Sequence, residues 1–256
     1  MILNWYNPNN NYRAFERVIG CIFDAGGILF RDDLKTLLGY SEDMMRYTIY
    51  RLNKHDPQLI RRIRTADRRN TYAFMLTEQG VAYARDLTQW DNKVRVGEGQ
   101  VYHTLGINSI LLRIVREIGT EGYEWYCTRE AGDIIADHIY SNMTMQEQAR
   151  REKPRFIRPD ALFSVGHNKV CVEYDTGSES GRIIKNKLQS YHQTMLRLPE
   201  SWRVVVFVAP TEARRKFLEE KSREFDTTAY KAHFFIPGQE TAGFVQRVKR
   251  GVRASV

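Results

Sequence analysis

The chain has 256 residues, of which 42% are hydrophobic and 27% charged, a balance typical of folded proteins that excludes a disordered one. Its formal net charge of +8 favours polyanionic partners, with DNA, RNA or an acidic membrane face as candidates and a merely basic soluble enzyme as the alternative. Three isolated cysteines exclude a disulfide framework or a zinc module. Because the chain has neither a membrane-length apolar stretch nor a signal-peptide pattern, we predict a cytoplasmic protein without membrane contact.

The spacing of apolar side chains predicts seven elements in the first ninety residues. In chain order these are a helix over 12–25, a strand at 28–30, a helix over 32–39, a helix over 41–54, a basic segment over 59–70, a strand at 72–76 and a helix over 77–87. Ser41 and Thr77 are suitable N-caps for the helices that they begin, because a hydroxyl can accept a hydrogen bond from the first turn.

This order of elements, with the run YAFMLTEQGVAYA that starts at Tyr72, resembles the winged helix-turn-helix family. The resemblance implies that the helix over 41–54 enters a groove of duplex DNA. With Met45, Ile49 and Leu52 facing the core, the face left for DNA carries cationic and aromatic side chains. The predicted DNA-contacting residues of this helix are Arg46, Tyr47, Tyr50 and Lys54.

Five arginines are predicted to lie in the turn between the two strands of the wing. They are Arg61, Arg62, Arg64, Arg68 and Arg69. Guanidinium groups clustered on a hairpin suit phosphate contacts or entry into the minor groove. The alternative is a solvated arginine-rich hairpin, but the resemblance would place this hairpin against DNA, so we predict duplex DNA as the partner.

The rest of the chain reads as an α/β domain. Its predicted elements are an amphipathic stretch over 101–119, a short strand at 123–128, a long loop with some helix over 132–153, strands over 156–165 and 170–175, a helix over 181–198, a strand at 203–209, a helix over 210–225 and a last strand at 232–236. We therefore predict a winged helix domain over 1–90, a linker over 91–100 and an α/β domain over 101–256.

Carboxylates mark the two central strands of that domain. Asp160 follows a proline at the start of one strand, whereas Glu173 and Asp175 alternate along the next and point to the same face. Adjacent strands can bring Asp160 near Glu173 or Asp175. Magnesium-dependent cleavage of a phosphodiester needs such converging carboxylates together with a lysine.

Three motifs carry a second resemblance: RPDA at 158–161, EYDTGSE at 173–179 and KLQSY at 187–191. They resemble the PD-(D/E)XK nuclease superfamily, and more closely the replication-relaxation family of plasmid and mobile-element proteins. That resemblance implies an α/β fold (α+β overall) in which a winged helix-turn-helix precedes a restriction-endonuclease-like domain. It also implies a catalytic set of Asp160, Glu173, Asp175 and Lys187, with the three acids as ligands of Mg²⁺.

The catalytic motif departs from the nuclease pattern at one position. Asp175 stands where the signature has lysine, so Lys187 would supply the amine from the following helix, with Lys169 as a weaker substitute. Alternatively, the site is a relic that binds no metal, and its acids form ion pairs with Arg158 or Lys187. Tyr191 invites comparison with a relaxase nucleophile, but without a histidine metal triad it reads as a helix-packing tyrosine.

We therefore predict a DNA-binding protein of plasmid or mobile-element replication or transfer, with a second copy or other replication or transfer proteins as further partners. One alternative is an active Mg²⁺-dependent DNA endonuclease. Another is a transcription regulator whose second domain mediates assembly.

Overall fold

A computed structural model describes residues 5, 11–65, 72–89, 94, 100–149, 155–224 and 229–254. The chain divides into two compact units, Met1–Glu121 and Gly122–Val256. Each unit combines helices with one β-sheet, so the chain is α/β overall, as the sequence predicts. Within the described residues, no helix is both long and apolar enough to cross a lipid bilayer.

The first unit carries a small antiparallel sheet with strand order β1-β3-β2. Its elements are α1 (Ala14–Asp24), β1 (Ile28–Phe30), α2 (Arg31–Leu38), α3 (Glu42–Asn53), β2 (Ile60–Arg64), β3 (Tyr72–Leu76), α4 (Glu78–Thr88) and α5 (Val101–Ile118). Both predicted N-caps are confirmed. Ser41 Oγ accepts a hydrogen bond from the Met44 amide at 3.2 Å, and Thr77 Oγ1 accepts one from the Gly80 amide at 3.0 Å.

Helix α5 is part of the first unit, whereas the sequence predicted it as the start of the second domain. Val101 and Leu105 lie in one apolar cluster with Ile28 of β1. The Asn108 side-chain amide donates to the backbone oxygens of Ala25 and Ile28, at 3.0 and 3.1 Å. The boundary predicted at 91–100 therefore differs from the observed division after Glu121, because an amphipathic pattern does not specify which sheet it covers. Most of the predicted linker lies outside the described residues.

The second unit carries a five-stranded mixed sheet with strand order β4-β5-β6-β7-β8. Its elements are β4 (Glu124–Cys127), α6 (Thr128–Ser141), α7 (Met145–Ala149), β5 (Ala161–Val165), β6 (Asn168–Tyr174), α8 (Gly181–Met195), β7 (Val204–Val208), α9 (Glu212–Arg223), β8 (Lys231–Phe235) and α10 (Thr241–Ala254). Strands β4, β5 and β6 pair antiparallel, whereas β6, β7 and β8 pair parallel.

Helices cover both faces of this sheet. Cys171 of β6 packs in one buried cluster with residues of α6, α8 and α9, such as Ile135, Leu188 and Leu218. On the opposite face, Phe244 of α10 meets Phe163 of β5 with ring centroids 4.8 Å apart. The segment over 132–153, predicted as a long loop with some helix, is mostly helical where it is described, because α6 and α7 occupy most of it. Helix α10 was not predicted.

Candidate functional site

Helix α3 presents one face to the core and one to solvent. Met45, Thr48 and Leu52 are buried, whereas Ile49, predicted to face the core, is only half-buried. The buried hydroxyl of Thr48 is satisfied within the helix, where it donates to the backbone oxygen of Met44 at 2.8 Å. The inward face is therefore rotated slightly from the one that apolar spacing predicts.

The outward face of α3 carries all four side chains predicted for it. Tyr47 and Tyr50 are 58% and 54% exposed. The Lys54 ammonium lies 4.6 Å from the centre of the Tyr50 ring. Arg51, which was not among the predicted residues, lies over the Tyr47 ring at 6.0 Å. Alternating cations and exposed aromatic rings thus form a continuous surface, here called the α3 face: Arg46, Tyr47, Tyr50, Arg51 and Lys54.

Three of the five arginines predicted for the turn of the wing lie in a strand instead. Arg61, Arg62 and Arg64 are part of strand β2, at the edge of the small sheet, and all three are exposed. The prediction failed because β2 starts at a buried isoleucine and its pairing with β3 runs through all three arginines. Arg62 stacks on the ring of Tyr72 at 3.4 Å. Arg68 and Arg69 lie outside the described residues.

A buried ion pair joins β6 to α8 in the second unit. Glu173 is 3% exposed, and each of its carboxyl oxygens has a donor. Lys187 Nζ lies 3.1 Å from Oε2, and the Tyr191 hydroxyl donates to Oε1 at 2.5 Å. Lys187 also lies 3.2 Å from a carboxyl oxygen of Glu179, without hydrogen-bond geometry. Tyr191 is therefore a buried hydrogen-bond donor, in keeping with the packing role predicted for it.

Burial sets the protonation behaviour of this pair. Burial, and then the negative charge of Asp160, raise the pKa of Glu173 by more than Lys187 and Tyr191 lower it. Burial alone would lower the pKa of Lys187, but the carboxylates of Glu173, Asp160 and Glu179 outweigh it, and the net shift is upward. Because both oxygens of Glu173 accept hydrogen bonds from strong donors, we assign the geometry to a carboxylate paired with an ammonium.

Asp160 joins β5 to its neighbour β6. Its Oδ2 accepts a hydrogen bond from the Tyr174 amide at 2.9 Å, and its backbone oxygen accepts one from the Thr128 hydroxyl at 2.8 Å. Its charge acts on both Glu173 and Lys187. The sequence prediction that Asp160, Glu173 and Lys187 come together therefore agrees with the observed interactions.

Asp175 takes a different partner. It is buried and lies 2.5 Å from Arg214 Nε of α9, and its other oxygen accepts the Gly177 amide at 2.8 Å. Arg214 also donates to the backbone oxygen of Glu179 at 2.7 Å. The sequence named Lys187 and Arg158 as candidate cations, whereas the cation at Asp175 is an arginine 39 residues away. Only the charged composition of α9 pointed to it.

The fit of a magnesium ion can be judged from the donors. Magnesium takes oxygen ligands in octahedral geometry, so the carboxylates must be free to turn toward it. Both oxygens of Glu173 and both of Asp175 already contact protein donors. In the part of the chain that the structure describes, no three His, Cys, Asp or Glu side chains group closely enough to hold a metal ion. As arranged, these acids do not fit Mg²⁺.

The fold and these side chains define a basic α/β protein in two units, with an exposed cationic and aromatic helix in one and buried ion pairs in the other. The chain belongs to the replication-relaxation family, whose model matches residues 27–203 and so extends over parts of both units. No curated protein and no solved structure matches the chain.

Proposed function

We propose that this protein binds duplex DNA through the α3 face and strand β2, and acts in the replication or transfer of a plasmid or mobile element. Membership of the replication-relaxation family supports the biological setting. The order of elements in the first unit and its β1-β3-β2 sheet support a winged helix arrangement. The observation that carries the proposal is the α3 face.

The α3 face has the composition that a DNA groove requires. Two tyrosines more than half exposed lie one turn apart on this helix, and their hydroxyls are suited to contact sugar and phosphate. The cations beside them can grip phosphates or read the acceptor edge of guanine. Asp43 lies 3.8 Å from Arg46 with a side chain that is 93% exposed, and an ion pair at such a solvated position is weak and easily exchanged for phosphate.

Strand β2 supplies a second cationic surface in the same unit. Arg62 and Arg64 alternate along the strand and share a face of the sheet. Stacking on Tyr72 holds the Arg62 guanidinium in one orientation, which lowers the entropy lost when it contacts a phosphate. We infer that α3 enters a groove while β2 follows the flanking backbone.

The salt dependence of binding tests this interface. Fluorescence anisotropy with a labelled random-sequence duplex would compare the native chain with Arg46→Ala/Lys54→Ala over a range of salt. The slope of log K against log[salt] is negative, and each lost phosphate contact makes it shallower by about 0.9. For two lost contacts we therefore expect a slope shallower by roughly 1.8. The matched control is Lys216→Ala/Arg223→Ala, which removes two exposed charges from α9. An equal loss in the control would overturn the interface.

The arrangement of the acids favours binding without cleavage. Glu173 and Asp175 are held by Lys187 and Arg214 rather than presented to a metal. We therefore expect supercoiled plasmid to stay intact with the protein and magnesium. Nicking that Asp160→Ala abolishes would instead establish the endonuclease. Selective binding to a promoter rather than to a replication origin would point to a transcription regulator.

A further inference from the structure

The second unit contains a pocket on the sheet face opposite Glu173. It lies between the sheet and α10 and has a volume of about 520 Å³, within the usual range for small-molecule sites. Val170 lines it, and side chains alternate along β6, so Cys171 and Glu173 point away from it. The apolar walls come from four strands and one helix: Phe163, Val165, Val170, Val206, Phe235 and Phe244.

Two arginines give this apolar pocket a positive charge. Arg247 is half-buried and Arg250 is exposed, and both line the pocket from α10. Among the described residues, neither side chain forms an ion pair or a hydrogen bond. Burial and the charge of Arg250 lower the pKa of Arg247, and burial together with Arg247 and Lys231 lowers that of His233. A half-buried guanidinium without a counter-ion is costly, and a bound anion would relieve that cost.

The acid at this pocket is already engaged. Glu240 is buried at the start of α10, where its Oε2 accepts a hydrogen bond from the Gly238 amide at 2.7 Å. It is the only carboxylate among the described lining residues. In the part of the chain that the structure describes, no ion pair joins Glu240 to Arg247 or Arg250, which follow it by about two and about three helical turns.

The remaining lining residues suit a planar heterocycle. Asn168 and Gln246 place exposed amides at the pocket, and each amide offers both a donor and an acceptor. The rings of His233 and Phe235 lie nearly parallel, 15° apart, with centroids at 6.3 Å. An alkyl chain would use the apolar walls and leave the amides without a role. Aromatic rings, amides and arginines together match a base joined to a phosphate.

We propose that this pocket binds a single nucleotide, with the base between the sheet and α10 and the phosphate on Arg247 and Arg250. The proposal goes beyond duplex binding by the α3 face and does not depend on it. Helix α10, which contributes more lining residues than any strand, and strands β7 and β8 follow residue 203, where the family match ends.

Calorimetric titration of the full chain with 2′-deoxyadenosine 5′-monophosphate tests the proposal, with deoxyadenosine, inorganic phosphate and decanoate as comparison probes. We expect saturable 1:1 binding of the nucleotide, and binding of each comparison probe weaker by roughly tenfold or more. Arg247→Gln should weaken nucleotide binding by roughly tenfold, because it removes a bidentate phosphate contact. Lys249→Gln is the matched control, since it removes one charge from the same helix but does not line the pocket.

A second variant tests the pocket without changing charge. A Cβ at Gly243 would meet no heavy atom within 4 Å, so Gly243→Leu is tolerated by the backbone and fills the pocket from α10. It should abolish nucleotide binding, while thermal melting and duplex binding stay as in the native chain. Tighter binding of decanoate, equal losses in the Lys249→Gln control, or undiminished binding by Gly243→Leu would each overturn the proposal. A failed α3 interface would leave these results unchanged.

Discussion

Replacing Lys187 by methionine would leave a buried carboxylate without its cation. Methionine keeps most of the volume of the lysine stem, so the change removes the charge with little loss of packing. Glu173 is 3% exposed and the Lys187 side chain only 22%, so water cannot replace the missing ammonium well. Tyr191 still donates one hydrogen bond to Glu173, and Asp160 still repels it.

The expected loss follows from the burial of the pair. Breaking a buried ion pair from one side costs about 3–5 kcal/mol, and the remaining tyrosine hydrogen bond places this case near the lower limit. At roughly 2–4 °C per kcal/mol, a loss of about 3 kcal/mol lowers Tm by about 6–12 °C. Removing both charges in Glu173→Gln/Lys187→Met should recover most of that loss, because an amide is far cheaper to bury than an unpaired carboxylate.

Thermal melting followed by circular dichroism measures both effects. Lys185→Met is the matched control on the same helix, since its side chain is 56% exposed and pairs with Glu224 at the surface. We expect that control to change Tm by less than about 2 °C. If Lys187→Met melted like the control, or if the double variant recovered nothing, the reasoning about the buried pair would be wrong.

The pH dependence of the same variant gives an independent check. The folded state raises the pKa of Glu173, so it holds that proton more tightly than the unfolded chain does. Stability is then greatest below the unfolded pKa and falls as pH rises through the folded pKa. Without Lys187, which lowers this pKa, the fall is larger. The Tm difference between native and variant protein should therefore be greater at about pH 8 than at about pH 5.

Three further predictions concern other buried groups. Arg214→Ala strands the buried carboxylate of Asp175 and should lower stability by about 3 kcal/mol in a denaturant melt, whereas Arg214→Ala/Asp175→Asn should recover part of it. Burial raises the pKa of Asp33 to about 6, so its contribution to stability is lost as pH rises from about 4 to 6, and Asp33→Asn should flatten that decline in Tm. Gly80→Ala places a Cβ 1.9 Å from the backbone oxygen of Leu59 and should destabilise the first unit by more than about 2 kcal/mol, seen as an earlier melting transition.

The sequence predicted the features that depend on residues close together in the chain, such as helix caps and the alternation of side chains along a strand. The helix that Ser41 begins and the one that Thr77 begins follow from a hydroxyl next to an amphipathic run, and both caps form as expected. The carboxylates of Glu173, near the end of β6, and Asp175, directly after it, follow from the alternation of side chains along an extended chain. In each case the residues that decide the outcome are only a few positions apart, so the sequence contains the whole argument.

Partners distant in sequence could not be predicted in the same way. Asp175 needed a cation, but Arg214 is one of several charged residues in α9, and only the packing of α9 on the sheet selects it. Similarly, the amphipathic face of α5 had two sheets available to cover. The extent of the helix at 128–141 was underestimated because charged residues separate its apolar positions Ile135 and Ile139, which are buried only by packing.

The parallel pairing of β6 with β7 makes the end of the chain essential to the middle. The Asp175 amide donates to the Val208 backbone oxygen at 2.9 Å, and Arg214 follows in α9. A polypeptide shortened at residue 203 would keep every family motif. It would nevertheless expose the backbone edge of β6 to solvent and leave Asp175 without its cation, Arg214. Such a fragment should aggregate through that unprotected edge, so the motif-bearing segment cannot serve as an autonomous module.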